Sequence, residues 1–343
     1  MKKELQQLIP GLPDDIALEC LIRIQTPDYL AATGVCSRWR GLLKSSEFSH
    51  LRKQNGLTRL YACLVQGKSE TPGSKPAGPT DFGISMFDSV TRSWDRVDSS
   101  PVYPTRLPLF CQVASSEGKL VLMGGWDSEN YEPVTRVFVY DFLTRRWKQG
   151  KDMPSKRSFF AIGGLNGRIY VAGGHDSDKN GLNSVCVYDI LEDEWTELTP
   201  MNQVRDECQG LIIGSEFWVI SGYATENQGE FKPSAEIYDV NSDVWGRVED
   251  AWLGGGSPRS CAGVGKNRDL INWGESISDV RFGTCAVELG DRVLVSGAVR
   301  EGATRGFLLG KMQKNGKYGE FEKLVDVPDE FSGLVQSGCY VEV

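Results

Sequence analysis

Histidine is scarce in this chain, and closely spaced cysteines are absent. The 343 residues include only two histidines, His50 and His175. A Ser-His-Asp or Cys-His catalytic system would therefore have to centre on one of these two side chains. The nine cysteines are never closer than 16 residues apart, so the chain contains no C-x-x-C motif. Zinc ribbons and thioredoxin-type redox sites are accordingly not expected.

Long apolar runs are also missing. No stretch reaches the roughly 18 consecutive apolar residues of a membrane-spanning helix, and residues 1–7 read Met-Lys-Lys-Glu-Leu-Gln-Gln instead of an apolar signal core. An odd number of cysteines without any Asn-x-Ser/Thr sequon favours a reducing compartment. We therefore expect a protein of the cytoplasm, the nucleus or both.

Basic charge is in deficit, with 38 Lys and Arg against 46 Asp and Glu. A net charge of −8 disfavours a protein that works by neutralising nucleic acid phosphates. Residues 1–58 hold eight basic and six acidic side chains, so nearly all of the acidity belongs to the remainder. With 40% hydrophobic and 24% charged residues, the composition is that of an ordinary globular protein.

A repeat of about 50 residues organises most of the chain. Its first marker is an aromatic-Asp pair followed six residues later by tryptophan. The pairs are Phe87-Asp88, Tyr140-Asp141, Tyr188-Asp189 and Tyr238-Asp239, and the tryptophans are Trp94, Trp147, Trp195 and Trp245. A second marker with the same period is a pair of small residues: Gly124-Gly125, Gly173-Gly174 and Ser221-Gly222. Four short strands per period of this length indicate β-propeller blades.

The two ends of the repeat region are irregular. The first repeat, from Leu60 to Trp94, supplies only three strands, and the unit after Arg259 is abbreviated. The terminal segment Val335 to Val343 is predicted to provide the missing strand and so close the ring, which removes two open sheet edges. We therefore predict a propeller over residues 56–343, with six blades of which one is abbreviated.

Residues 1–55 follow a helical pattern. Carboxylates after Leu12-Pro13 suit a helix N-terminus, and three short helices are predicted before residue 50. So few residues bury little surface by themselves. Part of their apolar surface is therefore expected to bind a partner.

The segment from Leu12-Pro13 to Val35-Cys36-Ser37-Arg38-Trp39 and Leu42-Leu43 resembles the F-box, and the 50-residue repeat resembles the kelch repeat. Together they are similar to plant F-box/kelch proteins over nearly the whole chain. The F-box resemblance implies binding to the Skp-type adaptor of a cullin-RING ubiquitin ligase. The expected adaptor contacts are Leu12, Pro13, Ile16, Leu21, Ile24, Leu30, Val35, Trp39 and Leu43, with the bundle core as an alternative place for Trp39.

In kelch propellers, particular loops of every blade gather around one mouth of the central channel. Repeat register then predicts a substrate-binding surface of Arg106, Trp126, Arg157, His175, Arg205, Tyr223 and Arg259. Arginine and aromatic side chains dominate many interfaces. The alternative for the arginines is structural pairing with acidic residues between blades. No cofactor, metal, nucleic acid or membrane is expected to bind.

The favoured hypothesis is a non-catalytic substrate receptor of a Skp-cullin-F-box (SCF) ubiquitin ligase, which selects proteins for ubiquitination and proteasomal degradation. The resemblance implies targets such as phenylalanine ammonia-lyase or chalcone synthase, or cytokinin response regulators, and does not choose among them. The alternatives are a kelch scaffold or inhibitor that does not cause degradation, and a propeller enzyme.

Overall fold

The structure, a computed structural model, describes residues 7–25, 28–67, 81–97, 107–252, 256–264, 270–272, 277–301, 305–312 and 319–343. Residues 263, 264, 272 and 278 are described by their backbone alone. Within these ranges, no helix has both the length and the apolar character needed to cross a membrane.

The N-terminal part is a bundle of four short helices. They are α1 (Asp14–Leu21), α2 (Tyr29–Val35), α3 (Ser37–Leu43) and α4 (Ser46–Gln54). The sequence predicted three helices, and the difference lies after Leu43. The backbone of Ser45 is extended and its hydroxyl accepts a hydrogen bond from the amide of Phe48 at 3.2 Å. This N-cap starts a separate fourth helix.

A buried arginine fastens the bundle to the strand that follows it. Arg52 is only 5% exposed, and its guanidinium donates to the carbonyls of Ile22, Ile24 and Leu57 at 2.6 to 2.7 Å. It also lies 4.9 Å from the ring centroid of Tyr29. Arg52 therefore satisfies carbonyls at the end of α1 and in the connection to the propeller, which helix termini otherwise leave unpaired.

All remaining regular structure in the described residues is strand and short 3-10 helix. The strands are β1 (Leu60–Gly67), β2 (Phe82–Asp88), β3 (Ser93–Arg96), β4 (Gln112–Ser116), β5 (Lys119–Met123), β6 (Val137–Asp141), β7 (Arg146–Gly150), β8 (Ala161–Leu165), β9 (Arg168–Ala172), β10 (Val185–Asp189), β11 (Glu194–Leu198), β12 (Gln209–Ile213), β13 (Glu216–Ile220), β14 (Ala235–Asp239), β15 (Val244–Val248), β16 (Cys261–Val264), β17 (Leu270–Asn272), β18 (Phe282–Leu289), β19 (Arg292–Ala298), β20 (Gly306–Lys311), β21 (Glu322–Lys323) and β22 (Val335–Glu342).

These strands form a propeller of five complete blades and one abbreviated sheet. Each complete blade is a four-stranded antiparallel sheet, and β16–β17 forms a two-stranded sheet between the fourth and last complete blades. The inner strands β22, β4, β8, β12, β16 and β18 are neighbours in that order around the channel. The first blade has the order β22-β1-β2-β3. The predicted β-propeller and its closure by the C-terminal strand are thus confirmed.

The repeat markers have structural roles. In the complete repeats the aromatic and tryptophan rings form cross-strand pairs with centroids 4.7 to 5.2 Å apart. The indole nitrogen of Trp195 donates to the carbonyl of Lys151 in the preceding blade at 2.8 Å. The aspartate after each aromatic residue caps a turn; Asp141, for example, accepts from the amides of Leu143 and Thr144. These contacts bind each blade to itself and to its neighbour.

The second glycine of each small-residue pair lies where adjacent backbones nearly touch. Gly174 has φ +79°, and a Cβ built on it would lie 2.3 Å from the carbonyl oxygen of Ser158. Both the left-handed backbone and the close approach require glycine here.

Helix α4 lies against one end of the propeller. Lys53 Nζ is 2.6 Å from Glu342 Oε2, and this hydrogen bond raises the pKa of the lysine. The hydroxyl of Ser46 donates to Glu117 at 3.1 Å, and Leu143 packs against the helical core. The helical bundle therefore contacts the ends of β22 and β4 and the turn between β6 and β7.

Candidate protein-binding surfaces

The helical bundle exposes part of its apolar surface. Of the predicted adaptor contacts, Ile16, Leu30 and Val35 are 48%, 52% and 61% exposed. Pro13 is exposed too, whereas Leu12, Ile24 and Trp39 are half-buried. Large apolar side chains at this exposure are candidates for a protein interface.

Two predicted adaptor contacts lie inside the bundle instead. Leu21 and Leu43 are 1% and 3% exposed and pack with Ile22, Tyr29 and Phe48. The prediction of an exposed contact is therefore wrong for these two leucines. In a bundle this small, helical periodicity marks an apolar side chain without showing whether it faces the core or the solvent.

The start of α1 is held in place by polar contacts. The carboxylate of Asp14 accepts from the amide of Leu8 at 2.8 Å and from the guanidinium of Arg38 at 2.6 Å, and both contacts lower its pKa. The indole of Trp39 donates to the carbonyl of Leu8 at 2.7 Å. Trp39 thus ties the segment before α1 to α3, with part of its ring left accessible.

The channel mouth lies at the opposite end of the propeller from the helices. Strands β4 and β22 end beside Glu117 and Glu342, which contact the bundle. Their other ends open onto a cavity of about 940 Å³, and a narrower cavity of about 270 Å³ occupies the channel. The residues that line both cavities are Phe159, Glu207, Arg259, Thr284 and Gln336.

Arg259 is the predicted arginine that reaches this mouth. Its guanidinium carbon lies 4.8 Å from the ring centroid of Phe159 and 5.7 Å from that of Phe110. Both phenylalanines have a left-handed backbone, with φ of +55° and +56°. Glu207, at the equivalent place in the next blade, has φ +49°. Such conformations are uncommon for these residue types and often occur at functional sites.

Arg157 and Arg205 do not face the mouth; they are 3% and 0% exposed. The guanidinium of Arg205 pairs with Glu236 at 3.1 Å and donates to the carbonyls of Ser221 and Ser234. The prediction that these two arginines form an exposed basic surface is wrong, because each guanidinium is buried and donates to backbone carbonyls of its own blade. Arg106 lies outside the described residues.

Arg157 lacks the carboxylate partner that Arg205 has. It donates to the carbonyls of Gly173 and Ser184 and to the hydroxyl of Ser155, and its Nε has no partner. Burial lowers the pKa of Arg157. The strand position that Glu236 occupies in β14 is taken by Cys186 in β10, so this blade has no carboxylate at that position.

Trp126, His175 and Tyr223 lie beneath the mouth. Each forms an isolated backbone bridge within its own blade, with Leu109, Ser158 and Asp206 respectively. The side chains of Trp126 and His175 reach the next blade, at Ser158 and Asp206. His175 and Tyr223 are only 6% and 4% exposed, which corrects their prediction as exposed binding residues. Trp126 is half-buried. Burial and a hydrogen bond to Glu207 raise the pKa of Tyr223.

Ser158, His175 and Asp206 have the connectivity of a catalytic triad. The serine hydroxyl lies 2.8 Å from His175 Nε2, and His175 Nδ1 lies 2.8 Å from Asp206 Oδ1. However, Ser158 is 0% exposed and its oxygen already accepts from the indole of Trp126 at 2.8 Å. A nucleophile must reach a substrate carbonyl. In this arrangement the three side chains link blades without meeting the cavity.

The sequence reasoning missed Phe110, Phe159 and Glu207 because of a register error, and it also missed Gln336 in β22. Phe110, Phe159 and Glu207 each come two residues before an inner strand, and so does Arg259 before β16. Arg157 and Arg205 come four residues before theirs. Aligning all the arginines therefore misplaced Arg259 by two residues. Counting back from the apolar strand, instead of from arginine, would have grouped the mouth residues correctly.

Across the part of the chain that the structure describes, no group of three or more His, Cys, Asp or Glu side chains is placed to hold a metal ion. The buried thiols have raised pKa values because of desolvation; those of Cys111 and Cys261 are raised to about 12.

Comparison with known protein families agrees with this architecture. The F-box domain model matches residues 9–51. The KLHDC2/KLHL20/DRC7 Kelch-repeats domain model matches residues 64–264. The first match covers the helical bundle, and the second runs from β1 to β16. The class of protein is therefore an F-box domain joined to a kelch propeller.

Similar proteins occur in Arabidopsis thaliana. F-box/kelch-repeat protein At2g44130 is 34% identical, over 99% of this chain and 97% of its own length. F-box/kelch-repeat protein SKIP20 is 36% identical over 71% of this chain and 67% of its own, and At1g80440 is 38% identical over 72% and 71%. The chain belongs to the F-box/kelch-repeat protein family.

Proposed function

We propose that this protein is the substrate receptor of an SCF-type ubiquitin ligase. The observation that carries the proposal is the arrangement of two surfaces at opposite ends of one propeller. The F-box bundle exposes apolar side chains at one end, and the channel mouth with Arg259 opens at the other. A receptor needs such an arrangement, because adaptor and target must be bound simultaneously.

The adaptor-binding surface that we propose is the apolar set Pro13, Ile16, Leu30 and Val35. The half-buried Leu12, Ile24 and Trp39 contribute at its margins. Leu21 and Leu43 support this surface from the core. Burial of large apolar side chains at an interface centre supplies most of the binding energy in many complexes.

The target-binding surface that we propose is the rim of the channel mouth. Family resemblance implies phenylalanine ammonia-lyase, chalcone synthase or cytokinin response regulators as the targets to test, without choosing among them. The chemistry of ubiquitin transfer belongs to other subunits of the ligase. We propose the cytoplasm or the nucleus as its location, which fractionation of a tagged chain would test.

Replacing Ile16 and Leu30 with aspartate should abolish binding to a purified plant Skp-type adaptor. Each central apolar anchor typically contributes about 2 kcal/mol or more, which corresponds to roughly 30-fold in affinity per residue. Calorimetric titration of the full chain with the adaptor measures the loss. Both side chains are half exposed, so the melting temperature should hardly change.

The matched control is Leu191→Asp, at a leucine that is 83% exposed on the turn between β10 and β11. This variant should bind the adaptor like the unaltered chain. Undiminished adaptor binding by the Ile16→Asp/Leu30→Asp chain would disprove the assigned surface. Absence of adaptor binding by the unaltered chain would favour the alternative of a kelch scaffold or inhibitor.

A further inference from the structure

We propose that the side of the propeller at the abbreviated blade is a second docking surface, which binds an extended segment of a partner protein. The segment adds to the open edge of β17 and lays alternate apolar side chains on the fourth blade, while Lys or Arg at its ends meets the acidic ends of β15. This second docking surface consists of β17, Ile237, Val244, Gly246 and Val248. It shares no residue with the adaptor-binding surface or with the two cavities of the channel, so it does not depend on the receptor role.

The abbreviated blade has an open outer edge. In the described residues its sheet consists of β16 and β17, whereas each complete blade has four strands. β16 is the inner strand, next to β12 and β18, so β17 is the outer strand of this sheet. Backbone N–H and C=O groups along such an edge can pair with a strand of another chain, which is a common way of binding extended segments.

The fourth blade is incompletely covered on the side that faces β16 and β17. Ile237 in β14 packs with Trp252 and Leu270 on this side and is only partly buried. Val139 and Val187 occupy the equivalent place in the second and third blades. They are 1% and 7% exposed, because a complete blade follows each of them. The fourth blade therefore presents apolar surface that the outer strands of a complete neighbour would cover.

The outer strand β15 extends this apolar surface. Val244, Gly246 and Val248 alternate along β15 on the side of the sheet that Ile237 occupies. Val244 and Val248 are 58% and 37% exposed, and a Cβ on Gly246 would meet only the carbonyl oxygen of Ile237, at 3.9 Å. The first position of the same row is charged in β7 and in β11. On this side, β15 thus lacks the charge that keeps many outer strands from pairing with other chains.

Acidic side chains lie at both ends of β15. Asp243 precedes the strand and Glu249 and Asp250 follow it, and all three are exposed. The hydroxyl of Tyr238 donates to Asp243 at 2.6 Å, which leaves the negative charge in place. The basic residue of the strand, Arg247, projects from the opposite side of the sheet and pairs with Glu249. Charge complementarity therefore favours a segment with Lys or Arg at its ends.

These features favour a different protein over a second copy of this chain as the occupant. If β15 of two copies paired in antiparallel fashion, Asp243 of each copy would lie near Glu249 and Asp250 of the other. Like charges opposite each other on neighbouring strands are destabilising. An extended segment with alternating apolar side chains and basic ends covers the valines without this repulsion.

Fluorescence anisotropy of labelled peptides with the full chain tests the inference. The first peptide is Lys-Lys-Val-Thr-Val-Thr-Val-Lys-Lys, the second has glutamate in place of every lysine, and the third is the lysine peptide with its central amides N-methylated. Cross-strand contacts contribute up to about 1 kcal/mol each, so the lysine peptide should bind at least about 10-fold more tightly than the other two. The difference between lysine and glutamate ends should shrink as the salt concentration rises.

Gly246→Arg, which places a long side chain across this face, should weaken binding of the lysine peptide by about 10-fold, as should Val244→Lys, which adds a like charge. Both positions are exposed and neither has a left-handed backbone, so the melting temperature should hardly change. Thr196→Arg is the matched control, because Thr196 is exposed and occupies in β11 the place of Gly246 in β15. It should bind the peptide like the unaltered chain.

Equal affinity for the three peptides, or an unchanged affinity for the lysine peptide in both Gly246→Arg and Val244→Lys, overturns the inference. Absence of lysine-peptide binding by the unaltered chain also overturns it and means that the surface is covered already. Size-exclusion chromatography then shows whether a second copy or the chain itself covers it. The adaptor takes no part in this assay, so its outcome is separate from that of the receptor role.

Discussion

A chain that ends at Ser332 should fail to form a stable propeller. Such a chain lacks β22, which pairs with β1 along its whole length and lines the channel. Val335 and Val341 are 4% and 0% exposed, and each buried valine stabilises the fold by roughly 1.5 to 3 kcal/mol. Together with an open edge on β1, this loss approaches the net stability of about 5 to 15 kcal/mol typical of a folded protein.

Size-exclusion chromatography and thermal melting measure the effect, with aggregation and no cooperative transition as the expected result. A synthetic peptide of residues 333–343, added in trans during refolding, should restore a folded fraction. A truncated chain that melts at the same temperature as the full chain would show that ring closure contributes nothing to stability.

Arg205→Met should be the most damaging single substitution among the residues discussed. It leaves the carboxylate of Glu236 buried without its cation and the carbonyl of Ser221 without the guanidinium, while the carbonyl of Ser234 keeps only the amide of Ser221 as its donor. Breaking a buried ion pair in this way typically costs about 3 to 5 kcal/mol. Chemical denaturation followed by tryptophan fluorescence measures the free energy of unfolding.

Arg157→Met provides the matched comparison, because the two arginines occupy equivalent positions in consecutive blades. No carboxylate is left behind at Arg157, so the expected loss is about 1 to 3 kcal/mol. It comes mainly from the carbonyl of Gly173, because the carbonyl of Ser184 still accepts from the amide of Gly173. The double variant Arg205→Met/Glu236→Leu should recover part of the loss of Arg205→Met. Equal losses for Arg157→Met and Arg205→Met would refute the role assigned to Glu236.

The propeller was predictable because its markers are local. A turn aspartate after an aromatic strand and a tryptophan six residues later recur in four of the five complete blades, and their common spacing indicates the repeating unit. The closing strand was predictable from the strand count, since a first blade with three strands needs a fourth. The end of α3 was harder to predict, because the only local sign of a new helix is the cap at Ser45.

The direction of side chains at the mouth was less predictable. The repeat pattern places Arg157 and Arg205 in the loops that precede the inner strands, near the mouth. It does not show whether a guanidinium points into the channel or along its own sheet. The outcome depends on carbonyls contributed by residues 16 or more positions away, such as Gly173 and Ser234. Left-handed backbone at Phe110 and Phe159 is likewise set by tertiary packing and has no marker in the sequence.

The receptor role is tested most directly by comparing the proteins that the chain captures with the proteins that it removes from plant cells. The unaltered chain and the Ile16→Asp/Leu30→Asp variant are expressed separately, and mass spectrometry measures captured proteins and their cellular abundance. The variant, which cannot recruit the ligase, should capture a set of proteins without depleting them. The unaltered chain should deplete those same proteins, and a proteasome inhibitor should restore them. If captured proteins keep the same abundance with the unaltered chain while it binds the adaptor, the substrate-receptor account is contradicted.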